Sequence, residues 1–127
     1  MRLLVIDDDV HVLKSIELAF SVRRPHWQAD FRLDCVDVPS QLKEHHYDVI
    51  LSDIQMPGMN GIALLREVQN IAPMIPVVFL TCHSPRYAAA AWELGAFAVL
   101  DKPVDLTLLF ETLEAAAHCR PIAASES

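Results

Sequence analysis

The sequence of 127 residues has few cysteines and no long apolar run. Its three cysteines are widely spaced and match neither a zinc-binding pattern nor a disulfide framework. We therefore expect free thiols in a reducing compartment, the cytoplasm. No apolar run approaches the length of a membrane span, which argues against a membrane protein. The first residues lack the basic start and long apolar core of a signal peptide, because Asp7 interrupts the run.

Basic residues are also scarce, since 10 Lys and Arg stand against 17 Asp and Glu, a formal net charge of −7. Direct nucleic acid binding by this domain is not expected, because such domains present a broad basic face. A hydrophobic content of 53% and the length of the chain predict one globular domain. Residues 120–127 have no periodicity and are rich in Ala and Ser. We interpret them as a flexible tail or the start of a linker, with the folded domain at residues 1–119.

Short apolar runs alternate with segments of helical periodicity along the chain. Five such runs predict strands, at residues 3–6, 31–36, 49–52, 76–80 and 98–100. Asp9 and Asp105 are placed to cap the helices that follow them, and Gly95 is placed to end another. Strict alternation of this kind predicts an α/β fold, a doubly wound parallel sheet with helices on both faces.

Polar side chains follow four of the expected strands. Asp7 and Asp8 follow the first, Asp53 the third, Thr81 the fourth and Lys102 the fifth. Parallel strands bring these ends to one edge of the sheet, where ligands bind in open α/β sheets. Three carboxylates repel one another, and a hard cation such as Mg²⁺ would relieve that repulsion. A cation, an ammonium and a hydroxyl around one carboxylate favour phosphoryl transfer onto Asp53.

The motifs at these strand ends resemble those of the receiver domain of two-component response regulators, over residues 1 to about 119. They are Ile-Asp-Asp-Asp at 6–9, Leu-Ser-Asp-Ile-Gln-Met-Pro-Gly-Met-Asn-Gly at 51–61, Leu-Thr-Cys at 80–82, Leu-Gly-Ala at 94–96 and Asp-Lys-Pro at 101–103. The resemblance implies a flavodoxin-like doubly wound sheet of five parallel strands, in the order 2-1-3-4-5, with five helices.

The resemblance also implies a magnesium-dependent phosphoacceptor site. Asp53 would accept the phosphoryl group and also bind Mg²⁺. Asp8 would bind Mg²⁺ directly, and Asp7 would support it, often through water. The backbone carbonyl of Gln55 would be a further metal ligand. The side chains of Gln55 and His83 could influence dephosphorylation.

The remaining roles concern the phosphoryl group and the partners. Thr81 and Lys102 would bind the phosphoryl oxygens, and the Lys102–Pro103 bond is expected to be cis. The donor would be a histidine of a sensor histidine kinase or a phosphotransfer protein. The implied function is a phosphorylation-activated switch that assists its own phosphorylation and dephosphorylation, rather than an enzyme. Phosphorylation would change the surface of helix 4, strand 5 and helix 5, which would contact an output domain, a partner protein or a second copy.

One position departs from the family pattern, since Val99 stands where a receiver domain usually has Tyr or Phe. An aromatic ring therefore cannot report phosphorylation there. On helix 4, Ala88 and Trp92 fall one turn apart on a face next to that of Tyr87 and Leu94. Trp92 is either an anchor of the partner surface or a cover over Val99.

Three alternatives belong to other functional classes. A receiver-like module could bind partners without being phosphorylated, although the acidic pocket is complete. A magnesium-dependent phosphatase with an aspartyl nucleophile, of the haloacid dehalogenase type, would need a second acid where Gln55 stands. A flavin-binding module would need a loop rich in Ser, Thr and Gly after the first strand, where this chain has Asp7 to Asp9.

Overall fold

A computed structural model describes residues 1–56, 59–82 and 85–118, so His83 and the expected tail lie outside it. The main strands are β1 (Arg2–Ile6), β2 (Gln28–Arg32), β3 (Val49–Asp53), β4 (Val77–Thr81) and β5 (Ala98–Asp101). The helices are α1 (Val10–Arg23), α2 (Val38–Glu44), α3 (Gly61–Ile71), α4 (Pro85–Glu93) and α5 (Leu106–His118). Within these residues, none of the helices has the length and apolar character needed to cross a bilayer.

The main strands form one sheet in the order β2-β1-β3-β4-β5, and every pairing in it is parallel. This confirms the expected α/β fold and its strand order of 2-1-3-4-5. Because all strands run in one direction, the carboxyl ends of β1, β3 and β4 lie side by side at one edge. A separate two-residue antiparallel ladder, Gln55–Met56 with Met59–Asn60, follows β3 at that edge.

Two hydrophobic cores cover the two faces of the sheet. One packs α1 and α5 against alternate strand residues, and the other packs α2, α3 and α4 against the residues between them. Both faces of β3 are therefore buried, which explains its uninterrupted apolar run. Each fully buried aliphatic side chain stabilises the fold by about 1.5–3 kcal/mol.

The expected helix ends are confirmed. Asp9 Oδ1 accepts the backbone N–H of His11 at 2.9 Å, and Asp105 Oδ1 accepts that of Thr107 at 2.9 Å. Each cap satisfies an N–H group that has no partner within its helix. Gly95 follows α4 with a φ of 97°, a conformation that L side chains rarely adopt.

The position predicted for the second strand is wrong. We expected it at residues 31–36, whereas β2 spans Gln28–Arg32. Beyond it, Asp34 Oδ1 accepts the N–H of Val36 at 3.0 Å and turns the chain, so pairing ends. The apolar character of Cys35 reflects burial in the core beneath α2, not a strand face.

Candidate functional site

Three carboxylates meet at the carboxyl edge of the sheet. Asp7 and Asp8 directly follow β1, and Asp53 is the last residue of β3. Each contributes a carboxylate oxygen to a group in which all such atoms lie within 4.8 Å of one another. Asp7 is 2% exposed and Asp53 8%, whereas Asp8 is exposed at the rim. The convergence expected from the strand ends is therefore present.

Lys102 places one positive charge inside this acidic cluster. Its Nζ lies 3.3 Å from Asp7 Oδ2 and 3.4 Å from Asp53 Oδ2, and so bridges the two buried acids. Burial alone would lower the pKa of Lys102, but the charges of Asp53 and Asp7 outweigh it and raise that pKa. The ammonium is therefore protonated. Since one ammonium faces three carboxylates, the site keeps an excess of negative charge.

The environment of Asp7 shows how incomplete this neutralisation is. Burial raises the pKa of Asp7, and the nearby charge of Asp53 raises it further. The backbone N–H of Asp9, 2.9 Å from Asp7 Oδ1, and the ammonium of Lys102 oppose these effects without cancelling them. An additional cation at the cluster would favour the ionised form.

Thr81, the last residue of β4, lies at the same edge. It is 1% exposed, and its Oγ1 has no hydrogen-bond partner among the residues that the structure describes. A buried hydroxyl without a hydrogen-bond partner lowers the free energy of unfolding by about 1–3 kcal/mol. The backbone carbonyl of Thr81 accepts the N–H of Lys102 at 2.8 Å, which ties the ends of β4 and β5 together. The Lys102–Pro103 bond is cis, as expected.

Gln55 lies beside the carboxylate of Asp53. Its backbone N–H is 3.4 Å from Asp53 Oδ1, and its side chain is exposed. The carboxylate oxygens and the excess negative charge fit a hard divalent cation. The Thr81 hydroxyl, which lacks a partner among the described residues, could donate to an anionic ligand beside it. Asp7, Asp8 and Asp53 could hold Mg²⁺ through their carboxylates.

Sequence reasoning missed three features of the site. The first is the orientation of Asp7 by the N–H of Asp9, for which the spacing of two residues was an available signal. The second is the buried Ser52, whose hydroxyl bonds the carbonyl of Asp53 and which no pattern marks. The third is a groove of about 620 Å³ beside Lys102, lined by His11, Val12, Ser15, Ile16, Leu80, Cys82, Lys102, Pro103, Val104 and Leu106.

Comparison with known proteins agrees with this architecture. The model of the response regulator receiver domain family matches residues 3–114. The DNA-binding transcriptional regulator NtrC of Salmonella typhimurium is 38% identical over 109 residues, which are 80% of this chain and 22% of that protein. The transcriptional regulatory protein ZraR of the same organism is 35% identical over 120 residues, 93% of this chain and 27% of that protein.

A crystal structure of a response regulator receiver domain protein from Clostridium thermocellum superposes with a TM-score of 0.83 at 28% identity. The match covers 91% of this chain and 93% of that one. The chain belongs to the response regulator receiver domain family. It spans about a quarter of the length of the curated relatives that it matches.

Proposed function

We propose that this protein is a phosphorylation-activated switch that accepts a phosphoryl group on Asp53. The observation that carries the proposal is the placement of Lys102, which bridges Asp7 and Asp53 within a cluster of three acids. A carboxylate needs both a nearby cation and a negative neighbourhood that attracts Mg²⁺ in order to receive a group as anionic as a phosphoryl.

The chemistry is a displacement at phosphorus. An oxygen of Asp53 attacks the phosphorus of a phosphohistidine, the P–N bond breaks as the P–O bond forms, and the imidazole leaves and takes up a proton. Lys102 is close enough to Asp53 to neutralise charge on the incoming oxygens. The Thr81 hydroxyl, which has no partner among the described residues, can donate to one of those oxygens.

Mg²⁺ would be held by Asp8 and Asp53, with Asp7 acting largely through water and the backbone carbonyl of Gln55 as a further ligand. When bound, Mg²⁺ neutralises the charge that develops on the phosphoryl oxygens. Lys102 Nζ lies 3.3 Å from Asp7 Oδ2, so Asp7 would position the ammonium and would also offset part of the charge of a bound metal.

Phosphorylation by a small donor tests the proposal. With Mg²⁺ and acetyl phosphate, the wild type should gain the mass of one phosphoryl group, and hydroxylamine should remove it. Asp53→Asn should gain none. Asp101→Asn is a matched control, since Asp101 ends β5 at the same edge but is exposed and lies outside the acidic cluster. Labelling of Asp53→Asn at the wild-type rate would place the acceptor elsewhere, and no labelling of the wild type would favour a partner-binding module.

The groove beside Lys102 is the surface that we assign to the phosphodonor, a sensor histidine kinase or a phosphotransfer protein. Its walls come from the start of α1 and from Pro103 and Val104 before α5. It ends at the lysine that contacts Asp53. Farther along α1, Leu18 is 64% exposed and Val22 71%. A helix that presents a phosphohistidine could lie in this groove and cover these side chains.

The output surface that we propose comprises α4, β5 and α5. Trp92 on α4 is 52% exposed and Leu108 on α5 is 47% exposed, so two large apolar side chains face solvent there. They suit contact with an output domain, a partner protein or a second copy of the chain. The name of a relative ascribes DNA binding to that protein. Because this domain has a net charge of −7, any DNA contact would be made through other parts of a full-length regulator. Such partners would place its action in the cytoplasm.

A further inference from the structure

Ser52 is a buried polar residue in an apolar row. Its neighbours in the parallel register are Ile6 on β1 and Phe79 on β4, both of which belong to the core beneath α2, α3 and α4. Ser52 is 0% exposed. Because burial of a hydroxyl costs free energy unless it is hydrogen-bonded, its partner is informative. That partner is the carbonyl oxygen of Asp53, at 2.9 Å.

The peptide group that follows the acceptor is thereby held at both ends. Its carbonyl, from Asp53, accepts the Ser52 hydroxyl, and its N–H, from Ile54, donates to the carbonyl of Leu80 on β4 at 3.0 Å. A peptide group is planar, so two such contacts fix its orientation. The next N–H, from Gln55, lies 3.4 Å from Asp53 Oδ1. The plane of this peptide group therefore determines where the Gln55 backbone stands relative to the acceptor carboxylate.

We propose that Ser52 is a positioning residue for phosphoryl transfer. Its hydroxyl fixes the Asp53–Ile54 peptide plane, and that plane holds the Asp53 carboxylate and the Gln55 backbone in the arrangement that receives Mg²⁺. The inference rests on the function proposed above. Ser52 does not contact the reacting atoms and acts only through the backbone of Asp53. An alanine would fill the row without binding this carbonyl.

Three variants separate positioning from general stability. Ser52→Ala removes the hydroxyl, and Ser52→Thr keeps it. Ile50→Val is the matched control, because Ile50 is 0% exposed, lies two residues earlier on β3 and belongs to the same core. Ser52→Ala should lower Mg²⁺ affinity, measured by calorimetry, by about tenfold, as expected when a group that orients metal ligands is lost. Ile50→Val and Ser52→Thr should stay close to the wild type.

A second measurement needs neither metal nor phosphoryl group. Hydrogen exchange at the Ile54 amide of the metal-free protein should be about fivefold faster in Ser52→Ala than in Ile50→Val, because one restraint on its peptide group is gone. The restraint is disproved if the two exchange alike. Faster exchange with wild-type Mg²⁺ affinity would overturn the positioning role. If the wild type itself binds no Mg²⁺, the proposed function fails, whereas the exchange comparison still decides whether Ser52 restrains the peptide.

Discussion

Two polar clusters lie at opposite ends of strand β1, and their charges are balanced to different degrees. At its start, the guanidinium of Arg2 lies 3.0 Å from Asp30 Oδ2, and the hydroxyl of Tyr47 donates to the same oxygen at 2.6 Å. At its end, Asp7 shares the single ammonium of Lys102 with Asp53. We call the first the paired cluster, defined by Arg2, Asp30 and Tyr47.

The pKa directions of the two clusters show this difference. Burial raises the pKa of Asp30, but the hydrogen bonds from Tyr47 and Arg2 outweigh it, and the pKa falls below the ordinary value. Burial also raises the pKa of Asp7, and there the opposing contacts do not suffice. The neighbours of Asp30 therefore stabilise its ionised form. The surroundings of Asp7 disfavour its ionised form.

This difference indicates that one cluster stabilises the fold and that the other is suited to a ligand. The paired cluster supplies its own positive charge and its own donor. The acidic cluster has less positive than negative charge, and the buried Thr81 hydroxyl beside it has no partner within the described residues. Incompletely neutralised carboxylates and buried hydroxyls without a partner weaken the fold and are typical of sites that a ligand completes. Mutations in the two clusters should therefore have opposite signatures.

The largest expected effect is the loss of metal binding in Asp8→Ala. Because we propose that Asp8 is a direct ligand, its removal should weaken Mg²⁺ binding by at least about 100-fold, more than the loss of an outer-shell contact. The metal-free protein should be as stable as the wild type or more so, because one member of a repelling cluster is gone. Calorimetry with Mg²⁺ and urea unfolding without metal measure the two effects.

Asp30→Ala is the control for this prediction, and it should show the reverse pattern. Its Mg²⁺ affinity should match that of the wild type, and its midpoint of unfolding in urea should fall. If Asp8→Ala keeps wild-type Mg²⁺ affinity, the assignment of Asp8 as a ligand is wrong.

The next effect concerns stability alone. Tyr47 is fully buried, and Tyr47→Phe removes the hydroxyl that bonds Asp30. The free energy of unfolding should fall by about 1.5–3 kcal/mol, the range for a hydrogen bond to a charged group. Urea unfolding with and without Mg²⁺ should give the same loss. Tyr87→Phe, on a half-buried ring of α4, should change stability by less than about 0.5 kcal/mol. A loss that depended on Mg²⁺ would contradict the separation of the two clusters.

A smaller effect should appear as a dependence of stability on pH. Because the pKa of Asp30 is lowered in the folded state, its ionised form stabilises the protein at neutral pH. That contribution is present above the ordinary aspartate pKa of about 3.9 and is lost as the pH falls through the lower, folded-state pKa. In metal-free buffer, the stability difference between the wild type and Asp30→Asn should shrink by about 0.5–1 kcal/mol from pH 6 to pH 2.5. A constant difference would show that the contacts from Tyr47 and Arg2 do not favour the ionised form of Asp30.

Much of this arrangement was predictable from the sequence. Buried strands have uninterrupted apolar runs, and a parallel sheet must bring Asp7, Asp53 and Lys102 to one edge, so their proximity follows from the alternation of elements. The position of β2 was not predictable, because an edge strand is only partly buried and its apolar pattern is weak. The turn at Asp34 then decided where pairing ended.

Contacts that depend on side-chain conformation could not be derived from the sequence. A serine before an aspartate does not reveal that its hydroxyl bonds the carbonyl of Asp53. The bridging of two acids by Lys102 depends on how the end of β5 is tied to Thr81. The roles of the site residues, including Gln55, and the domain boundary at residue 119 stay predictions.

The acidic cluster, unlike the paired cluster, should be coupled to a distant surface. Val99 is half-buried and packs with Tyr87 and Leu94 against the core beneath α4. Trp92 is 52% exposed, so it does not serve only as a cover. We expect occupation of Asp53 to shift α4 through the Thr81 end of β4 and so to change what Trp92 contacts.

The effect should be small and can be read from intrinsic fluorescence. Trp27→Phe leaves Trp92 as the only tryptophan, since the sequence has two. Beryllofluoride with Mg²⁺ mimics the phosphoryl group and should shift the emission of Trp92. The same addition to the double variant with Asp53→Asn should not, which controls for quenching by the reagents. Trp92→Ala should also weaken self-association or binding of an output partner, measured by sedimentation, by about tenfold if Trp92 is an interface anchor. The emission test counts only if mass spectrometry shows that acetyl phosphate phosphorylates Asp53 in the Trp27→Phe variant. Unchanged emission of that variant, together with unchanged association of Trp92→Ala, would then exclude α4 as the surface that reports phosphorylation.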